Sequence, residues 1–243
     1  MEMRLLKTTL FLLFLLTGVT ARAQEEACLE CHTDFKDAKV VHPALPMGCS
    51  SCHTGVHAGE KPAPKLAASV PDLCFGCHDK AAFEKKSPHE PVASGMCGSC
   101  HNPHVSAVPK LLLSPVPDLC FSCHDRNALA KKTVHANAAE GQCLVCHNAH
   151  GSDSAFVLTQ LVEGHCEACH EEQESGRHVM RRVSPGDTHP VKGRNDPLHP
   201  GKDLSCVSCH NPHVAKPGKQ LPEKAKRPED ICRQCHRKIK VGP

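Results

Sequence analysis

Every cysteine of the 243-residue chain belongs to a C-x-x-C pair, and a histidine follows every pair at once. The nine copies are Cys28-Cys31-His32, Cys49-Cys52-His53, Cys74-Cys77-His78, Cys97-Cys100-His101, Cys120-Cys123-His124, Cys143-Cys146-His147, Cys166-Cys169-His170, Cys206-Cys209-His210 and Cys232-Cys235-His236. Two sulfurs so spaced lie on one turn and can add to the two vinyl groups of a haem, with the adjacent histidine as proximal iron ligand. Zinc ribbons also use C-x-x-C pairs, and exported chains often carry disulfide frameworks. Neither explains a histidine directly after all nine pairs. A thioredoxin-like centre needs one such motif beside a βαβ unit. The spacing therefore predicts nine covalently attached c-type haems, and with them iron.

Eleven histidines lie outside the motifs. Their positions follow an internal repeat of 46 residues, seen most plainly in VPDLCF at Val70 and again at Val116. Each repeat holds two motifs, and in the two central repeats a histidine sits 11 residues after the first motif histidine and another 3 after the second. His42, His57, His89, His104, His135, His150 and His213 occupy these places, His42 one residue nearer and His57 one residue further out, and are candidate distal ligands. The fourth repeat carries an insertion containing His178, His189 and His199. His199 keeps the spacing of seven residues to the next cysteine, as His42 does, while His189 or His178 is the candidate partner of the ninth motif. His165, against Cys166, reads as structural. Met47 and Met96 sit within two residues of a motif cysteine, a poor place from which to reach another ring.

The elements that must position these groups are short. Twenty prolines and 16 glycines interrupt the chain, and no alternating strand pattern is present. The motif segments, Lys80–Lys86, Asn127–Lys132 and Ser154–Val162 are expected as short helices. There is no Trp or Tyr, and beyond the N-terminal apolar run only five Phe remain. Large aromatics normally dominate core burial, so this chain cannot fill an ordinary core; porphyrins, at about 24 residues each, would have to fill it. The expected fold is a multihaem cytochrome c, mostly irregular, with short α-helices wrapped around a haem chain and little or no β.

Residues 1–23 read as a signal peptide: Arg4 and Lys7, an apolar stretch from Leu10 to Val19, and Ala21-Arg22-Ala23 as a cleavage site. The stretch is too short to span a bilayer, and no later segment is apolar enough. The mature domain, 24–243, divides into doubled repeats at about 24–69, 70–115, 116–162 and 163–220, with a single motif in 221–243. Its formal charge excludes a nucleic-acid reading. The whole chain has 29 Lys and Arg against 26 Asp and Glu, and removal of 1–23 takes three and one of these. The resulting +1 falls to about −8 with nine ferric haems at −1 each. Between Lys216 and Pro243 nine basic residues face three acidic ones, a solvated tail or a docking surface for an acidic redox partner.

The blocks CFGCHD, CGSCHNPH, CFSCHD, CLVCHNAHG and CVSCHNPH resemble the doubled-CXXCH multihaem cytochromes c of metal-reducing and other anaerobically respiring bacteria. The resemblance covers essentially the whole mature chain. It implies bis-histidine haems in a closely spaced chain, a periplasmic location, and redox partner proteins as donor and acceptor. An outer-membrane porin–cytochrome complex is one such partner. The expected role is electron transfer within anaerobic respiration or extracellular electron transfer, an electron carrier rather than an enzyme. A reductase of a small nitrogen or sulfur oxyanion would need an iron with an open face, and a filament-forming cytochrome would need association end to end.

Overall fold

In a computed structural model, the described residues are 28–55, 65–127, 135–171, 177–179, 188–190, 193–213 and 228–236. Short helices and turns joined by irregular chain make up the fold. Strands are two or three residues long and pair antiparallel: β1 (Val40–Val41) with β4 (Val105–Ser106), β2 (His53–Thr54) with β3 (Lys65–Leu66), and β5 (Arg177–Val179) with β6 (Thr188–Pro190). This is the expected architecture, mostly irregular with short helices and little β.

The nine motifs adopt two kinds of turn, and the first, at 28–31, is helical. Cys74, Cys120, Cys166 and Cys232 lie on α-helical segments, Asp72–Phe75, Asp118–Phe121, Val162–Glu167 and Pro228–Cys235. Cys49, Cys97, Cys143 and Cys206 each open a 3₁₀ turn, Cys49–Ser51, Cys97–Ser99, Cys143–Val145 and Cys206–Ser208. The helical kind has its cause in sequence. Pro71 and Pro117 precede their helices, and Asp72 and Asp118 place a negative charge in the first turn, where the helix dipole favours it. The ninth motif, behind Pro228, is of this helical kind.

The two motifs of one repeat are locked together by a close approach. Gly95 and Gly141 have φ of +71° and +72°, and a Cβ there would meet Pro71 at 2.7 Å and Pro117 at 2.5 Å. Only glycine accepts both the left-handed backbone and the contact.

Two expected helices are corrected. Over Ser154–Val162 the chain forms a 3₁₀ turn, Ala155–Val157, with Phe156 and Val157 at φ +60° and +51°; the helix begins only at Val162. Backbone carbonyls of this turn are bound by the preceding motif, and those bonds override helix propensity. Over Lys80–Lys86 only Lys80–Ala82 turns, because Ser87 pairs with Ser152. Of Asn127–Lys132, residues 128–132 fall outside the described residues.

No large side chain among the described residues is fully buried, and Met47, Phe156 and Leu161 are 67%, 58% and 69% exposed. Among the described residues the polypeptide by itself builds no apolar centre. It groups into two compact units, Met1–Lys80 with Pro91–Pro115, and Ala81–Glu90 with Val116–Pro243. No helix among the described residues is long and apolar enough to cross a membrane.

Candidate haem-binding site

Each motif closes one backbone turn. In eight of the nine, the histidine amide donates to the carbonyl of the first cysteine at 2.8–3.0 Å, as in His32 to Cys28 and His236 to Cys232. Both sulfurs and the imidazole thus issue from a single turn. All eighteen cysteines are free of disulfides.

Histidines from elsewhere come to face the motif histidines by two routes. In the first, an asparagine follows the motif histidine and makes an Asx turn. Asn102, Asn148 and Asn211 accept the amides of His104, His150 and His213 on Oδ1 at 2.9, 3.0 and 2.9 Å. The histidine so presented faces backward along the chain. His104 lies 5.8 Å from His53 and His213 lies 5.7 Å from His147, centroid to centroid, with the Nε2 atoms of the latter pair 3.5 Å apart.

By the second route a histidine faces forward to the next helical motif. His42 lies 6.2 Å from His78, His89 6.1 Å from His124, His135 6.5 Å from His170 and His189 6.1 Å from His236. Two metal–imidazole bonds of about 2.0 Å, with about 1.1 Å from each nitrogen to its ring centre, separate two centroids by roughly 6.2 Å. The six observed separations lie within half an ångström of that spacing.

Hydrogen bonds prepare several rings for that role. The Nδ1 atoms of His89, His101, His147 and His189 lie 2.8–3.1 Å from the carbonyls of Ala149, Lys110, Phe156 and Pro190. A carbonyl only accepts, so Nδ1 carries the proton and Nε2 keeps its lone pair for a metal. At His42 the amide of Ala44 donates to Nδ1 instead. Burial first, and then the facing histidine, lowers the pKa of His42, His104 and His213. Both effects favour the neutral imidazole in these three rings.

Thiols of successive motifs are neighbours. Burial and then Cys97 and Cys52 push Cys74 up, and burial and then Cys169 push Cys146 up. A hydrogen bond with Cys206 raises Cys166 and draws Cys206 down to about 7, while burial and then Cys235 raise Cys209. The second to fourth attachment points in one unit, and the sixth to ninth in the other, therefore follow one another in chain order.

The remaining sequence candidates have other surroundings. Phe35 stacks on His32 at 5.4 Å and on His104 at 4.9 Å, and Phe83 meets His150 edge-on at 5.2 Å. His57 and the side chain of His178 fall outside the described residues; the backbone of His178 pairs with His189. His199 does not face another histidine ring among the described residues. Its Nδ1 lies 2.8 Å from the carboxylate of Asp196, which also accepts from Ser208 at 2.6 Å and from the amide of Leu198 at 2.8 Å. His165 is bound by Thr159 and Gln160 at 3.1 and 3.3 Å. Sequence reasoning missed Asn102, Asn148, Asn211 and Asp196. The recurrence of C-H-N-x-H was the available signal for the three asparagines; the lone Asp196 had none.

Four segments, 42–83, 89–129, 135–175 and 198–241, match the family described as the doubled CXXCH motif. Together they cover more than half of the chain. No curated protein matches it. The matched segments begin at or just before His42, His89, His135 and His199, so each frames a forward-facing position with the two motifs after it.

Proposed function

Because the chain belongs to the doubled CXXCH motif family of multihaem cytochromes c, we propose that it is a carrier of electrons along nine bis-histidine c-type haems. Haem iron supplies one-electron chemistry when bound. The chain's own residues do the rest: cysteines tether, motif histidines bind one iron face, and facing histidines close the other. Six facing pairs within one ångström of a common separation carry this reading. An iron closed on both faces has no position for substrate, which favours outer-sphere transfer over reduction of an oxyanion. Chain-ordered cysteine neighbours in each unit support a wire rather than isolated centres.

The signal-like residues 1–23 support a periplasmic location, and the family resemblance supports a role in anaerobic respiration, with a donor and an acceptor protein as redox partners. A porin–cytochrome complex at the outer membrane is the proposed acceptor assembly. Intact mass of the exported protein tests the count, and the ferric spectrum with and without cyanide tests the ligation. Nine haem additions and an unchanged low-spin spectrum are expected. Fewer additions would refute the count, and a high-spin, cyanide-binding haem would transfer the assignment to a reductase.

A further inference from the structure

Among the described residues, the four non-glycine residues with positive φ are Lys110 and Leu111, at +60° and +58°, and Phe156 and Val157, at +60° and +51°. Bulky or β-branched residues rarely adopt this backbone, and where they do so the surroundings must impose it. The two pairs occupy the same place in successive repeats, each in its own compact unit. Lys110 O lies 2.9 Å from His101 Nδ1, and Phe156 O lies 3.1 Å from His147 Nδ1. The next carbonyls, Leu111 O and Val157 O, accept the amides of Asn102 and Asn148 at 2.8 and 2.7 Å. Beyond them the amides of Leu113 and Thr159 return to Cys100 and Cys146, both at 2.9 Å. Ser106 and Ser152 brace the approach, their hydroxyls donating to Leu112 O and Ser154 O at 2.6 and 2.8 Å. Two consecutive left-handed residues turn two successive carbonyls onto one motif, the first onto the ring that would bind iron.

We propose that Lys110–Leu111 and Phe156–Val157 are backbone clamps that position the proximal imidazoles of His101 and His147 and depress the potentials of the two haems these histidines hold. This rests on the bis-histidine haem reading above. A ring that donates from Nδ1 to a fixed carbonyl is a more basic ligand at Nε2 and stabilises ferric over ferrous iron. The strain persists because the carbonyls are needed there; their bonds over-determine it.

Glycine adopts positive φ freely, whereas proline is locked near −65° and cannot. Lys110→Gly and Phe156→Gly therefore keep the clamp, and Lys110→Pro and Phe156→Pro open it. In the haem-loaded wild type, two imidazole N–H protons, assigned by hyperfine-shifted NMR to His101 and His147, are expected to exchange slowly with deuterated water. Each proline variant should lose the slow exchange at its own site and shift one potential upward, leaving the others in place. The glycine variants should keep both properties. A fully loaded proline variant with unchanged potentials would overturn the clamp, as would glycine variants that shift as far as proline ones. If the proline variants fail to load haem, fast exchange of both protons in the wild type overturns it. Failure of the bis-histidine reading is distinct, appearing as high-spin ferric iron or missing haem mass in the wild type.

Discussion

His189 and His236 face each other across 6.1 Å, while His199, which keeps the repeat spacing, is turned onto the carboxylate of Asp196. The insertion in the fourth repeat supplies the ring that faces the ninth motif. His189→Ala should convert one haem of the loaded protein to a high-spin ferric form without loss of covalent haem mass. His199→Ala should leave the haem of the ninth motif low-spin. Optical and EPR spectra of the two variants, beside intact mass, decide between the histidines.

The six facing pairs divide by the angle between their rings. His53 with His104, His89 with His124, and His147 with His213 are within 14–16° of parallel. His42 with His78, His135 with His170, and His189 with His236 are crossed at 56°, 72° and 86°. Parallel imidazoles lift the degeneracy of the iron d orbitals that crossed ones preserve. Ferric EPR of the loaded protein should show two low-spin populations, one rhombic and one strongly anisotropic. A single rhombic signal would contradict the crossed geometry.

The Asx turns set the reach of the backward-facing histidines. Asn211→Ala removes the acceptor of the His213 amide and should cost about 1 kcal/mol of stability. It should also weaken closure of the His147 site, read as partial cyanide binding. Asn211→Asp, which keeps the acceptor, should restore both.

Asp196 is 3% exposed, and hydrogen bonds from Ser208, His199 and Leu198 outweigh the cost of burial and hold its carboxyl at about 2. The folded state therefore prefers the ionised form more than the unfolded chain does. Its contribution, about 2 kcal/mol, is fully present above the ordinary carboxylate range and is lost as pH falls through that range toward 2. Asp196→Ala should lower stability by about that amount at neutral pH and flatten the acid limb of the stability curve. Denaturation midpoints between pH 2 and 6 measure both effects.

Covalent haem attachment was legible in the sequence because C-x-x-C-H is a local device: one turn presents two sulfurs and an imidazole without help from the rest of the chain. The scarcity of large apolar side chains likewise announced that the chain would build no core of its own, and no large side chain among the described residues is fully buried. The asparagine turns were legible in principle, since C-H-N-x-H is also local. Which histidine faces which motif was not. His104 turns back to His53 while His89 runs forward to His124, and spacing alone is indifferent to direction. The left-handed pairs at Lys110–Leu111 and Phe156–Val157 are invisible to propensity, because distant hydrogen bonds impose them against local preference. Of the histidines in the insertion, His189 faces His236, while His199 is bonded to the buried Asp196. Local chemistry is written residue by residue; pairings between remote residues exist only once the chain has closed on itself, where burial and hydrogen bonding select among spacings that are equal on paper.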